Sequence, residues 1–330
     1  MIITRAPFRI SFVGGGSDLK DFYSQFEGAV LSTTINKYVY ISSHHFFDTD
    51  KIRIKYSQTE TVSNFDEIKH PIFKEVLRQF NTTGALEISS NADIPAGSGL
   101  GSSSAFTVAL LHNLYTRSRK FITKKHIAEL ACNIEIEKLG EPIGKQDQYA
   151  SAYGGLNMFT FHHSDAVSIE KLYLDSNTLQ KLQNNLLLFF IGNTRKTSSI
   201  LTEQKQNMRS IEKINILKQM VKLVENAKHC LLEGQVELFG EILHENWLLK
   251  QKLASKISNE QINHLYRIGL ESGALGGKLL GAGAGGFLLF YCDMQYQAQL
   301  RKALENYPEM KFNFENEGTK VIFIGDEEYA

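Results

Sequence analysis

The side chains best placed for chemistry gather around one stretch, Pro95-Ala-Gly-Ser-Gly-Leu-Gly-Ser-Ser-Ser-Ala105. Gly97, Gly99 and Gly101 alternate with Ser98 and Leu100, and Ser102, Ser103 and Ser104 follow. Residues 85–90 before it alternate like a strand, and residues 106–115 after it are apolar enough for a buried helix. A glycine-rich turn lets a ligand approach the main chain closely. The free N–H groups of a helix start, with the helix dipole behind them, favour an anion. A polyphosphate suits such a place; the alternative is a turn that merely packs tightly, which does not explain the run of hydroxyls. Gly101 is followed by Ser102 rather than lysine, so the Walker pattern is absent. The stretch enters a helix, whereas the protein-kinase glycine loop joins strands.

Other candidates flank it. Arg9-Ile-Ser-Phe-Val13 alternates as a strand and runs into Gly14-Gly15-Gly16-Ser17-Asp18. Asp18 either caps a short helix or accepts hydrogen bonds from sugar hydroxyls; Arg9 is either a surface strand residue or a charge aimed at a site. Glu135 and Glu137 lie near the end of a helix over 124–138, where the dipole disfavours carboxylates, so they are solvated or face a cation. Asp147 opens a short helix, flanked by Lys145, Gln146 and Gln148 and closed by Gly154-Gly155, and is a cap or a site residue. Arg195 and Lys196 at another helix start oppose the dipole and are either solvated or hold an anion. His44-His45 and His162-His163 are adjacent on strands, point to opposite faces and do not chelate. Gly281-Ala-Gly-Ala-Gly-Gly286 matches a dinucleotide fingerprint, but a strand pattern follows instead of the required helix.

The elements that must position these groups read as follows. Strands are expected at 2–13, 29–35, 38–43 and 52–56, and helices at 71–81 and 124–138. Residues 186–191 form a buried strand, followed by a long helix from 193–199 to about 232, then helices at 236–253 and 259–271. The tail predicts a helix over 295–306 and strands at 311–314 and 320–324, and this order suggests an α+β unit with an antiparallel sheet. The chain has 330 residues, comfortable for two domains, and 42% hydrophobic content is ordinary for a soluble protein. Lys+Arg 36 balances Asp+Glu 36, so no global field recruits nucleic acid or membrane. The scattered Cys132, Cys230 and Cys292, the absence of a signal pattern and the absence of a long apolar run point to the cytoplasm.

Three glycine-rich stretches in order, Ala6 to Asp18, Pro95 to Ala105 and Lys278 to Phe287, resemble the three motifs of the GHMP small-molecule kinases over nearly the whole chain. The first motif and Gly144-Lys-Gln-Asp-Gln-Tyr-Ala-Ser-Ala-Tyr-Gly-Gly155 are most similar to the branch acting on D-glycero-D-manno-heptose 7-phosphate. The resemblance implies an α+β, two-domain fold: residues 1–185 like ribosomal protein S5 domain 2, and a ferredoxin-like domain over 186–330. It implies ATP on Pro95, Gly97, Ser98, Gly99, Leu100, Gly101, Ser102, Ser103 and Ser104. It implies Mg²⁺ on Ser103 and Glu135, with Glu137 as fallback, and catalysis by Asp147 with Arg9. Gly15, Gly16, Asp18, Lys145, Arg195, Lys196 and Gly283 would meet a sugar phosphate in the cleft. The expected reaction is phosphorylation of the heptose 7-phosphate at its anomeric hydroxyl, serving nucleotide-activated heptose synthesis. Another sugar-1-kinase, fucokinase-like or hexosamine-kinase-like, or a non-catalytic nucleotide-binding regulator, stands as the alternative. The partners implied are small molecules, not nucleic acid or membrane, and a homodimer is possible.

Overall fold

In a computed structural model, residues 1–192, 198–207 and 210–325 are described. The chain begins with β1 (Ile2–Val13), α1 (Lys20–Tyr23), β2 (Gly28–His45), β3 (Ile52–Lys55), β4 (Thr59–Val62), α2 (Pro71–Gln79) and β5 (Leu86–Ala92). Next come α3 (Ser102–Arg117), α4 (Lys124–Cys132) prolonged by a π-helical turn (Asn133–Lys138), α5 (Gln146–Tyr153), β6 (Asn157–Phe161), β7 (Val167–Lys171), α6 (Ser176–Asn184) and β8 (Leu186–Phe190). The rest is α7 (Ser198–Asn207), α8 (Ile211–Leu232), α9 (Val236–Gln251), α10 (Glu260–Glu271), β9 (Ala274–Leu279), β10 (Phe287–Cys292), α11 (Gln297–Ala303), β11 (Phe314–Glu315) and β12 (Lys320–Ile324).

The large sheet runs β12-β1-β2-β5-β3-β4, with β6 and β11 also on β2 and β7 on β6. β2 is its spine. The two strands expected at 29–35 and 38–43 are one strand, because no glycine or proline interrupts them. The register on β1 slips between Pro7, opposite Tyr38, and Arg9, opposite Thr34, so a bulge takes up the polar residues Asn36 and Lys37. α3 lies on this sheet and is buried from Ser104 to Leu111. Two polar side chains fix its place: Thr4 Oγ1 donates to Ala109 O at 2.8 Å, and Asn113 Nδ2 donates to Ile41 O at 3.0 Å.

A second, antiparallel sheet runs β8-β10-β9. The expected long helix ending near 232 is divided, with α8 starting after Ser210. The expectation of an antiparallel C-terminal sheet holds for β8, β9 and β10 but not for the tail. β12 pairs with β1, Ile2 facing Ile324, and β11 pairs with β2. The edge of β1 attracts the tail, so the expected cut between 185 and 186 does not separate the sheets. Gly281 to Gly286 does join two strands, as the pattern after it indicated. Among the described residues no helix is long and apolar enough to cross a membrane.

α9 seats on β9 through glycine: a Cβ on Gly276 would lie 2.1 Å from Gly240 O. Gly276→Ala is therefore expected to push α9 off β9 and lower unfolding free energy by about 1–3 kcal/mol, read from urea denaturation. An unchanged midpoint would show that this contact yields freely.

Candidate active site

Four segments converge at the end of the large sheet: β1, the glycine loop before α3, α3 itself and α5. Arg9, on β1, is 4% exposed. It meets Asp147, in the first turn of α5, through two bonds: Nε donates to Oδ1 at 2.7 Å and Nη2 to Oδ2 at 2.6 Å. Its Nη1 donates to Gly99 O at 2.7 Å, and its main-chain N donates to Leu100 O at 3.1 Å. The guanidinium fork therefore holds a carboxylate and the glycine loop at once. A Cβ on Gly101 would lie 3.3 Å from both Arg9 Cγ and Asp147 Oδ2, so the loop, the cation and the acid share one place.

The loop keeps its shape because its glycines are needed. Gly99 has φ +85°, and a Cβ there would lie 2.5 Å from Leu280 O. The Leu100 side chain is buried in the core, so only its main chain faces the site. α3 begins after Gly101, and the N–H groups of Ser102, Ser103 and Ser104 have no partner one turn earlier. Pro95 and Gly97 are exposed on the outer limb of the loop. Ser98 Oγ is buried and lacks a hydrogen-bond partner.

Beside that helix start, Ser103 Oγ donates to Glu135 Oε1, and Gln148 Nε2 donates to Oε2 at 2.8 Å. Glu135 is 1% exposed. Burial raises its pKa to about 7, against hydrogen bonds from Ser103, Gln148 and Ser104 that pull it down; Asp147 adds to the rise. The π-helical turn places Glu135 inside while Glu137 stays exposed, paired with Lys20 at 3.3 Å. A buried carboxylate touching a serine hydroxyl, without a cation, fits a hard ion that takes its remaining oxygens from phosphate and water. Among the described residues no cluster of three His, Cys, Asp or Glu could hold a metal alone.

The cleft next to the Arg9–Asp147 pair is lined by Ser11, Gly16, Asp18, Gln146, Lys250 and Lys278, among others. Asp18 is buried and does not cap α1, the helix that follows it; it accepts from Gly16 N at 2.9 Å and from Gln146 N, at the start of α5, at 3.3 Å. Burial raises its pKa, with the main-chain bonds from Gly16 and Gln146 opposing. Gly144 is required there, since a Cβ would sit 2.0 Å from Asp18 Oδ2. Gly15 borders Ser11, Lys250 and Gln146.

Two expected substrate contacts are engaged within the chain. Lys145 is held by Asp165, with Nζ 2.7 Å from Oδ1, and does not line the cleft. Gly283 packs on Ile257, where a Cβ would come within 2.7 Å of Cα; Gly281 and Ala282 line the cleft instead. Arg195 and Lys196 lie outside the described residues. Sequence reasoning missed Lys250 and Lys278, both buried, and Gln204 of α7. The available signal was a lysine at the edge of a short apolar run, Trp247-Leu-Leu-Lys250 and Lys278-Leu-Leu280.

Residues 68–155 match the GHMP kinases N terminal domain, and residues 227–309 match the GHMP kinases C terminal domain. A D-glycero-alpha-D-manno-heptose 7-phosphate kinase of Campylobacter jejuni is 29% identical over 97% of this chain and 98% of its own. A D-glycero-D-manno-heptose 1-phosphate kinase from Bacteroides thetaiotaomicron has a crystal structure that superposes with TM-score 0.81 at 25% identity, covering 99% of this chain and 100% of that one. Lactococcus lactis galactokinase bound to galactose shares the fold, with TM-score 0.76 at 16% identity over 97% and 94% of the two chains.

The raised Glu135 pKa has a consequence without any ligand. Folded Glu135 holds its proton more tightly than unfolded glutamate, ordinarily near 4.5, so protonation favours the fold. That stabilisation is full below pH 4.5 and is lost as pH rises through about 7. Glu135→Gln stays neutral, so between about pH 5 and about pH 8 the wild type should lose about 2–3 kcal/mol relative to it. Urea unfolding of both in metal-free buffer is the measurement; parallel pH curves would contradict it.

Proposed function

The chain belongs to the GHMP kinase family and is a phosphotransferase acting on a sugar hydroxyl with ATP as donor, and we propose that its acceptor is the anomeric hydroxyl of D-glycero-D-manno-heptose 7-phosphate. The product is the 1,7-bisphosphate. The observation that carries the reading is Asp147, gripped by Arg9 and set against Gly101 at the mouth of α3.

Phosphoryl transfer asks a protein mainly for positioning and charge neutralisation. The main-chain N–H groups from Gly97 to Ser104 receive the nucleotide phosphates. A Mg²⁺ ion, when held by Ser103 Oγ and Glu135, would neutralise charge on those phosphates. Asp147 accepts the proton of the attacking hydroxyl, or orients that hydroxyl, as its oxygen bonds to the γ-phosphorus and the bond to ADP breaks. Arg9 holds the carboxylate in place through its two hydrogen bonds, and its positive charge faces the developing negative charge. Asp18 accepts from sugar hydroxyls, beside the main chain of Gly15 and Gly16. Arg195 and Lys196, in the segment leading into α7, are the proposed holders of the phosphate already on the sugar. The named heptose kinases among the relatives support a heptose phosphate.

Asp147→Asn is expected to cut kcat by about a hundred- to ten-thousandfold while ATP binding stays within about twofold. Near-normal turnover would remove Asp147 from its role. ATP consumption should be highest with heptose 7-phosphate in a panel including heptose 1-phosphate, free heptose, fucose, galactose and N-acetylhexosamines. ³¹P NMR should locate the new phosphate on C1. Free heptose working equally well, or a product phosphorylated elsewhere, would overturn the assignment. Chelation by EDTA should abolish turnover, and excess Mg²⁺ should restore it.

A further inference from the structure

The cleft holds a cation that nothing described so far uses. Arg9 is occupied by Asp147 and Gly99 O. Lys278 Nζ is occupied by two carbonyls of β1, Ser11 O at 2.6 Å and Phe12 O at 2.8 Å. Lys250, in the last turn of α9, is 6% exposed and lines the cleft, yet among the described residues its Nζ has no hydrogen-bond or ion-pair partner. A largely buried ammonium with no partner in the chain is unfavourable, and on the wall of a cleft it is open to a group from outside the chain.

Lys250 does not stand alone. Around the point where a Cβ would sit on Gly15, Ser11 Oγ lies at 3.4 Å, Lys250 Nζ at 3.5 Å and Gln146 Nε2 at 3.6 Å. Ser11 Oγ and Gln146 Oε1 are also buried without a hydrogen-bond partner. Three polar side chains from β1, α5 and α9 thus converge, with unmet hydrogen-bonding capacity, on the wall of one cleft. Their distance from the reacting pair is set by the chain. Ser11 is two residues from Arg9 on the same face of β1, roughly 7 Å along the strand. Gln146 precedes Asp147. One sugar ring spans that interval.

We propose that Ser11, Gln146 and Lys250 form a subsite for the ring hydroxyls of the acceptor, one ring-width from the hydroxyl that is phosphorylated. Lys250 donates to a ring hydroxyl oxygen there, Gln146 donates through Nε2 and accepts through Oε1, and Ser11 does either. The subsite discriminates among sugars by the hydroxyls it pairs, because a missing hydroxyl leaves buried polar groups unmatched. Burial lowers the Lys250 pKa, while the charges of Asp18 and Asp147 oppose that fall and Arg9 adds to it. An amine in either protonation state can donate to a hydroxyl oxygen. The subsite rests on the sugar-kinase reading of the same cleft.

The test compares wild type, Lys250→Met and Ser11→Ala by steady-state kinetics with heptose 7-phosphate and ATP, and by thermal melting without ligand. Lys250→Met should raise the sugar KM about tenfold or more and leave the ATP KM within about twofold. Ser11→Ala should raise the sugar KM several-fold. Ligand-free Lys250→Met should melt no lower than wild type, because the charge it loses is largely desolvated and makes no hydrogen bond or ion pair. An unchanged sugar KM, an equal rise in the ATP KM, or a ligand-free variant that melts several degrees lower would overturn the subsite. Wild type that ignores heptose 7-phosphate would overturn the acceptor assigned above. The same comparison, run on the best sugar of the panel together with the ligand-free melt, would then decide the subsite separately.

Discussion

The structure depends on the bond between Arg9 and Asp147. Its side chains are 5% and 23% exposed, so both charges have lost most of their water. A pair in that state is not a cheap source of stability, because desolvation offsets much of the attraction. Its value lies in what it joins. Arg9 comes from the second half of β1, Asp147 from the first turn of α5, and the third bond of the guanidinium reaches Gly99 O in the glycine loop before α3. A shift of any one element breaks a bond in the same fork. Lysine at position 9 would supply a point charge without this planar geometry.

The three glycine-rich stretches carry distinct mechanical tasks around that fork. Gly97, Gly99 and Gly101 all have positive φ, which lets the loop turn into α3 with its amides free. The stretch from Gly281 to Gly286 supports the loop from behind: a Cβ on Gly281 would come within 2.6 Å of Gly99 Cα, and one on Gly286 within 2.3 Å of Ser98 O. The first stretch turns the chain so that Asp18 faces Gly144 and Gln146. Each needs backbone approaching backbone at a distance that a side chain forbids. This accounts for a pattern that looks like a dinucleotide fingerprint and folds as a strand-to-strand support.

What the sequence made legible follows from how local each signal is. β1, α3 and the alternating strands were readable because apolar spacing is set within a few residues of itself. The glycine-rich turn into α3 was readable because glycine and serine at a helix start carry their own physics. β2 was read as two strands, at 29–35 and 38–43, and the bulge that absorbs Asn36 and Lys37 between them depends on β1. The return of β12 to β1 joins the two ends of the chain, which no window of sequence contains. The choice between Glu135 and Glu137 needed the π-helical turn. Lys250 and Lys278 were hidden for a further reason: each borders an apolar run, where lysine reads as a stem covering hydrophobic surface with its charge in water.

The two hidden lysines separate structure from recognition. Lys278, on β9, caps two carbonyls of β1 and so clasps the small sheet to the large one. Burial holds its pKa well below the ordinary range, with the neighbouring charges of Lys250 and Arg9 acting in the same direction. Removing it would leave main-chain acceptors unmet inside the protein, a loss of fold. Lys250, one helix away, has the same charge and similar burial but no internal acceptor. Two cations this close repel each other, and the fold accepts that repulsion only if each has an oxygen to meet. For Lys278 those oxygens belong to the chain. For Lys250 the proposed subsite would supply them, as ring hydroxyls of an acceptor lying in the cleft beside Asp18 and Asp147.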